Sequence, residues 1–146
     1  TGAVAGLVAI TPAAGYVSIT GSVAIGFLAS VFCYLAVHFK NKMGLDDALD
    51  VWGVHGVGGV LGCLLTGVFA TKLWNANGAD GLLLGGTHFF LVEAGSVLIT
   101  AAYAFLFTYG ALWLINLVTP VKVTQEEEQE GLDVSVHGEE AYIVRD

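Results

Sequence analysis

Formal charge is missing from three long stretches of this chain, and that absence constrains its fold more than any motif does. Residues 1–39, 51–71 and 94–121 contain no Asp, Glu, Lys or Arg. A helix rises about 1.5 Å per residue and the hydrocarbon core of a bilayer is about 30 Å thick. The 21 residues of the middle run therefore make a helix of roughly 31 Å, about one membrane thickness. Only 12% of the residues are charged and 55% are hydrophobic, with a mean hydropathy of +0.75, far from the soluble average of about one quarter charged. The pattern predicts an all-α membrane protein built as a helical transmembrane bundle.

Punctuation along the chain divides it into four helical segments, at about residues 2–15, 17–39, 47–71 and 81–119, followed by a tail over 120–146. The last segment is over-long for one crossing and should tilt, bend or extend beyond the lipid. The net charge of -8 belongs mostly to the tail, since eight of the 13 acidic residues lie beyond Pro120. No basic footprint for nucleic acid exists. Lys40, Lys42 and Lys122 fall on one side of the membrane against Lys72 on the other, which puts the 40–49 connection and the tail in the cytoplasm. Cys33 and Cys63 sit in apolar runs and read as small buried hydrophobes, with no disulfide, metal or cofactor implied. The apolar start at Thr1, with no basic residue or cleavage motif, reads as the interior of a longer chain.

One ionisable ring interrupts the middle run. His55 lies about 7 Å along the axis from Asp50, and with Gly59, Gly62 and Thr66 it follows the i, i+4, i+7, i+11 spacing of one helix face. The glycines by themselves read as packing, because Gly58 and Gly62 form the Gly-x-x-x-Gly pattern that lets backbones approach closely. The histidine adds something else, since ionisable groups inside membrane segments face a bundle interior or a pathway. A neutral imidazole offers one donor and one acceptor, enough to bind a small polar solute without trapping a cation. Asp46, Asp47 and Asp50 precede it. At least one of them should cap the helix or answer its dipole, and the others could form a vestibule for cations or dock a basic side chain. Trp52 is either an interfacial anchor or a neighbour of the pathway. His38, His88 and His137 carry no assigned chemistry, and Glu93 reads as a subunit contact or a residue of the outer leaflet.

These residues have a family pattern. DDALDVWGVHGVGG at 46–59, followed by LLTGVFA at 64–70, resembles the second-histidine helix of the Amt/Mep/Rh ammonium transporters, on the bacterial Amt side. GLVAITP at 6–12 is similar to the family's eighth helix, and GLDVSVHGEEAY at 131–142 to its cytoplasmic tail. The resemblance implies the last four of eleven transmembrane helices plus the tail, in the cell inner membrane with the C-terminus cytoplasmic. It implies that His55 is the second of two pore histidines, that Asp50 is an acid of the cytoplasmic vestibule, that Asp47 is a nearby acid of the helix start, and that Val51 is a wall residue of the lower pore. Ammonium would lose its proton, ammonia would pass the histidine pair, and the proton would move separately. An ion at the bilayer centre costs roughly 2.5 kcal/mol or more, so the split avoids that barrier and rejects potassium, which has no proton to give.

The family's first pore histidine, outer recruitment site and gate belong to helices other than these, so this chain alone is not expected to conduct. The family assembles as homotrimers with one pore per subunit. The tail, with Gly131, Asp133, His137, Gly138, Glu139 and Tyr142, should lie against the cytoplasmic face, couple neighbouring subunits and support binding of a PII-type nitrogen signal protein. Two other readings stay open: an ammonium sensor that signals through the tail, and a structural bundle in which His55 makes an interhelical hydrogen bond. None of the three is an enzyme.

Overall fold

The computed structural model describes residues 1–139, which contain helices and turns and no strand. Residues Thr1–Ala101 form one compact unit and a second begins at Ala102. In the first unit, α1 (Gly2–Ile10) runs into a 3-10 turn at Thr11–Ala13, where Pro12 lies in the first turn and needs no N–H partner. α2 (Ile19–Lys42) starts at Ser18, whose hydroxyl accepts from the Gly21 N–H at 3.1 Å. It ends on Lys40 and Lys42, cations placed where the helix dipole favours them. The span expected over 17–39 thus continues three residues further, and these lysines belong to the helix, not to the connection after it.

Three stripes made mostly of small residues, each repeating every four positions, bring α1, α2 and α3 (Val57–Phe69) together. Ala5, Ala9 and Ala13 face Gly21, Ile25, Ala29 and Cys33 of α2, and Gly58, Gly62 and Thr66 of α3; all are buried. A Cβ on Gly62 would overlap the backbone carbonyl of Ala9, and one on Gly58 would lie 3.2 Å from Cys33 Sγ. Lipid chains are as apolar as leucine, so this association rests on van der Waals contact and not on withdrawal from water. Small residues supply that contact by letting backbones touch. At the far rim, the Thr71 N–H donates to the Tyr16 carbonyl at 2.9 Å, tying the start of α2 to the end of α3.

The segment expected over 81–119 is shorter and has a distinct lead-in. Leu82–Leu84 makes a 3-10 turn, Gly85 takes a left-handed φ of 84°, and α4 spans Thr87–Asn116. Gly86 comes so close to Asp80 that a side chain would collide with its carbonyl, and the left-handed Gly85 breaks the helical run before Thr87. None of the residues of α4 is buried among the described residues. Its first turns touch α3 at Gly67, against Phe90 and Glu93.

In the second unit α4 ends at Asn116, whose side chain accepts from the Val121 N–H. α5 (Gln125–Glu130) begins with a reciprocal cap, in which the Thr124 hydroxyl accepts from the Glu127 N–H while the Glu127 carboxylate accepts from the Thr124 N–H. A wide helical turn, Asp133–His137, follows.

Candidate functional site

The chain reaches His55 through an irregular piece of backbone. Asp50 has a φ of 56°, a left-handed conformation that costs a residue bearing a side chain about 1–2 kcal/mol. The Asp47 carboxylate accepts from the Val51 N–H through one oxygen and from the Trp52 N–H through the other, each at 2.9 Å. These bonds favour the charged form, so they hold the Asp47 carboxyl below the ordinary carboxylate value, the Trp52 N–H contributing most. Asp47 is thus the capping acid that the sequence leaves unassigned among three.

Asp50 has a different partner. Its Oδ1 lies 2.6 Å from Lys40 Nζ, the only ion pair among the described residues. The same ammonium donates to the Asp47 carbonyl at 2.5 Å. Lys40 is 4% exposed, and burying a charge requires this kind of full pairing. The basic side chain for which an acid could serve as a dock therefore comes from α2 of the same chain. By sequence Lys40 reads only as a topological charge; the signal for its role is its place at the end of an apolar run, with acids only a few residues beyond.

Residues Trp52–Gly56 form a π-turn, in which the Val57 N–H reaches back five residues to the Trp52 carbonyl. That turn corrects the expected face. Gly62 and Thr66 are buried, Gly59 is half-buried, and His55 is exposed, because the wider turn moves His55 out of phase with the α-helix after it. His55 and Val51 lie on the uncovered side, while Gly53 and Val54 turn toward α2 and α1. Trp52 is also exposed, with its ring edge against Gly56. A groove of about 550 Å³ opens beside α1 and α2, lined by Ala5, Cys33, Tyr34, Val37 and Asp50 among others; His55 is not in its wall. Among the described residues no group of His, Cys, Asp and Glu could hold a metal ion.

Of the other histidines, His38 stacks on Tyr34 with ring centroids 6.5 Å apart, and His88 and His137 are exposed. In the tail, Gly131 and Gly138 take φ values of 100° and 68° at either end of the wide turn. The Glu139 N–H donates to the Asp133 carbonyl, and the Ser135 hydroxyl to the Gly131 carbonyl, both at 2.9 Å. The Glu127 carboxyl is held below its ordinary value by its bonds to Thr124. Tyr142 lies outside the described residues.

The sequence profile described as "Ammonium Transporter Family" matches residues 1–142. The chain is 43% identical over 143 residues to the ammonium transporter of Bacillus subtilis, covering 97% of this chain and 35% of that one. It is 49% identical to the ammonium transporter of Aquifex aeolicus, covering 97% and 33%. The chain thus spans about a third of the length of these curated relatives. The crystal structure of Saccharomyces cerevisiae Mep2 superposes with a TM-score of 0.72 at 32% identity, over 84% of this chain and 29% of that one.

Proposed function

The chain belongs to the ammonium transporter family, and from that membership and the setting of His55 we propose that its residues carry part of a pathway moving ammonium across a membrane. They correspond to the last four helices and the tail of an eleven-helix transporter of the bacterial Amt type. His55 is one of a pair of pore imidazoles, the other standing on a helix outside this chain, so these residues conduct only as part of the complete transporter. Ammonium gives up its proton at the mouth, ammonia passes along an apolar path beside the imidazoles, and the proton travels separately. The single observation carrying this reading is that a span free of formal charge presents His55 on the side that α1 and α2 leave uncovered. An imidazole costs too much in lipid to stand there without a polar task.

Val51, one helical turn before His55, belongs to the pore wall, and Asp47 and Asp50 to the cytoplasmic mouth. The protein sits in the cell inner membrane as a homotrimer with its C-terminus in the cytoplasm. Residues Gly131, Asp133, His137, Gly138, Glu139 and Tyr142 form a regulatory tail that couples subunits and receives a PII-type signal protein. The glycine-bounded turn at 131–138 supports a defined tail shape over a random acidic one.

Uptake of radiolabelled methylammonium by the full-length protein tests the reading. His55→Ala should lower the rate on the order of a hundredfold, as removal of one preorganised hydrogen-bonding group does, with the amount of protein in the membrane unchanged. An undiminished rate would sink the pathway role. Absence of any flux in the unaltered protein, with ammonium-dependent signalling through the tail, would establish a sensor instead.

A further inference from the structure

Two contacts from one face of α2 meet the chain just before His55. Val37 and Lys40 are three residues apart, about one helical turn. Val37 presses on Gly53, where a Cβ would lie 2.7 Å from Val37 Cγ2 and 3.2 Å from its backbone nitrogen. Lys40 Nζ holds the Asp50 carboxylate and the Asp47 carbonyl. Together they grip residues 47–53, the segment that leads into the wide turn at Trp52–Gly56. Asp50 sits there in a left-handed conformation, one that aspartate adopts more readily than most residues and that its bond to Lys40 helps to hold.

We propose that Lys40 is a positioning residue for His55: by pairing with Asp50 and bonding the Asp47 carbonyl, it holds the left-handed step before the wide turn, and that turn sets where the imidazole points. A regular α-helix advances about 100° per residue. If the extra residue of the turn were absorbed into regular helix, the residues before it would rotate by about that angle relative to Gly58 and Gly62, which stay wedged against α1 and α2. His55 would leave its present direction. The pairing also means that the charge of Asp50 is already met by a buried ammonium, which weakens its pull on a passing cation. The proposal takes from the preceding reading only that His55 lines the pathway.

Solid-state NMR of the full-length protein, labelled with 15N-histidine in lipid bilayers, tests it alongside methylammonium uptake. The His55 ring signals are identified by their loss in His55→Ala. Lys40→Met should move those signals and lower uptake on the order of a hundredfold, the loss that about 1 Å of misplacement produces. If Lys40→Met fails to insert, Lys40→Met/Asp50→Asn leaves no charge unpaired and should move the same signals. Lys40→Arg, which keeps a cation with donors for both acceptors, should retain most of the uptake. His55 signals unmoved in Lys40→Met, or in the double variant where that is the one that inserts, overturn the proposal whatever happens to uptake. Moved signals in a protein that carries no flux at all support the positioning role and sink the transport reading instead, so the two failures are distinct.

Discussion

A lysine at the end of an apolar helix can keep its charge in two ways, by reaching to the interface or by finding an acid within range. Lys40 takes the second course and Lys42, two residues on and exposed, the first. Which one does which depends on the face each occupies, and the acids that decide it lie on the segment leading into α3, so residue order alone left them alike. Asp47 shows the reverse case. Its carboxylate is held below the ordinary value by the Val51 and Trp52 amides, so its contribution is fully present above the ordinary carboxylate range. It is lost as the pH falls through the lowered value in the folded state. The protection of segment 43–54 against hydrogen exchange, taken relative to the intrinsic rate at each pH, should accordingly fall as the pH drops below about 4. Asp47→Ala should exchange quickly already at neutral pH and lose that acid step. An unchanged acid step in Asp47→Ala would assign it to another group.

At the scale of helices, approach distance is the controlling quantity. The Gly58 and Gly62 pair was readable from sequence as a packing pattern, and Gly62 does meet the Ala9 backbone with no room for a side chain, while Gly58 lies tight against the Cys33 and Val8 side chains. Gly62→Val places branched atoms against the Ala9 backbone, where no side-chain rotation relieves them. Overpacking of this kind costs about 1–3 kcal/mol, so the full-length variant should lose thermal stability in detergent, and Gly59→Ala, whose added carbon meets nothing in these helices, should lose less. Equal melting temperatures for the two variants would remove Gly62 from the α1–α3 contact. The face of His55 was less readable. Its spacing to Gly59, Gly62 and Thr66 fits an ideal helix, and the wide turn at Trp52–Gly56 breaks that phase. Nothing in the local residues announces the extra residue, because the contacts around it come from Val37 and Lys40 on another helix.

For the molecule as a whole, the apolar exterior and the small-residue interior follow from one cause, a solvent that is itself apolar. α4 carries Leu98, Ile99, Phe105 and Leu106 at about two thirds exposed or more, an arrangement that water would penalise and lipid does not. A full-length variant whose only tryptophan is Trp113 should show fluorescence strongly quenched by lipids brominated along the acyl chain and little affected by aqueous iodide. The opposite pattern would place that part of α4 outside the bilayer. Residue order by itself was enough to give the class of protein and the family, because charge-free length and a contiguous motif are properties of the sequence; it was not enough for the helix bounds, since α2 runs on to Lys42 and α4 starts only at Thr87. Only the tertiary structure decided which lysine is buried, which of three aspartates caps and which pairs, and which way His55 faces. Each of those outcomes rests on contacts between α2 and the segment leading into α3, where the partners meet through folding and not through any spacing in the chain.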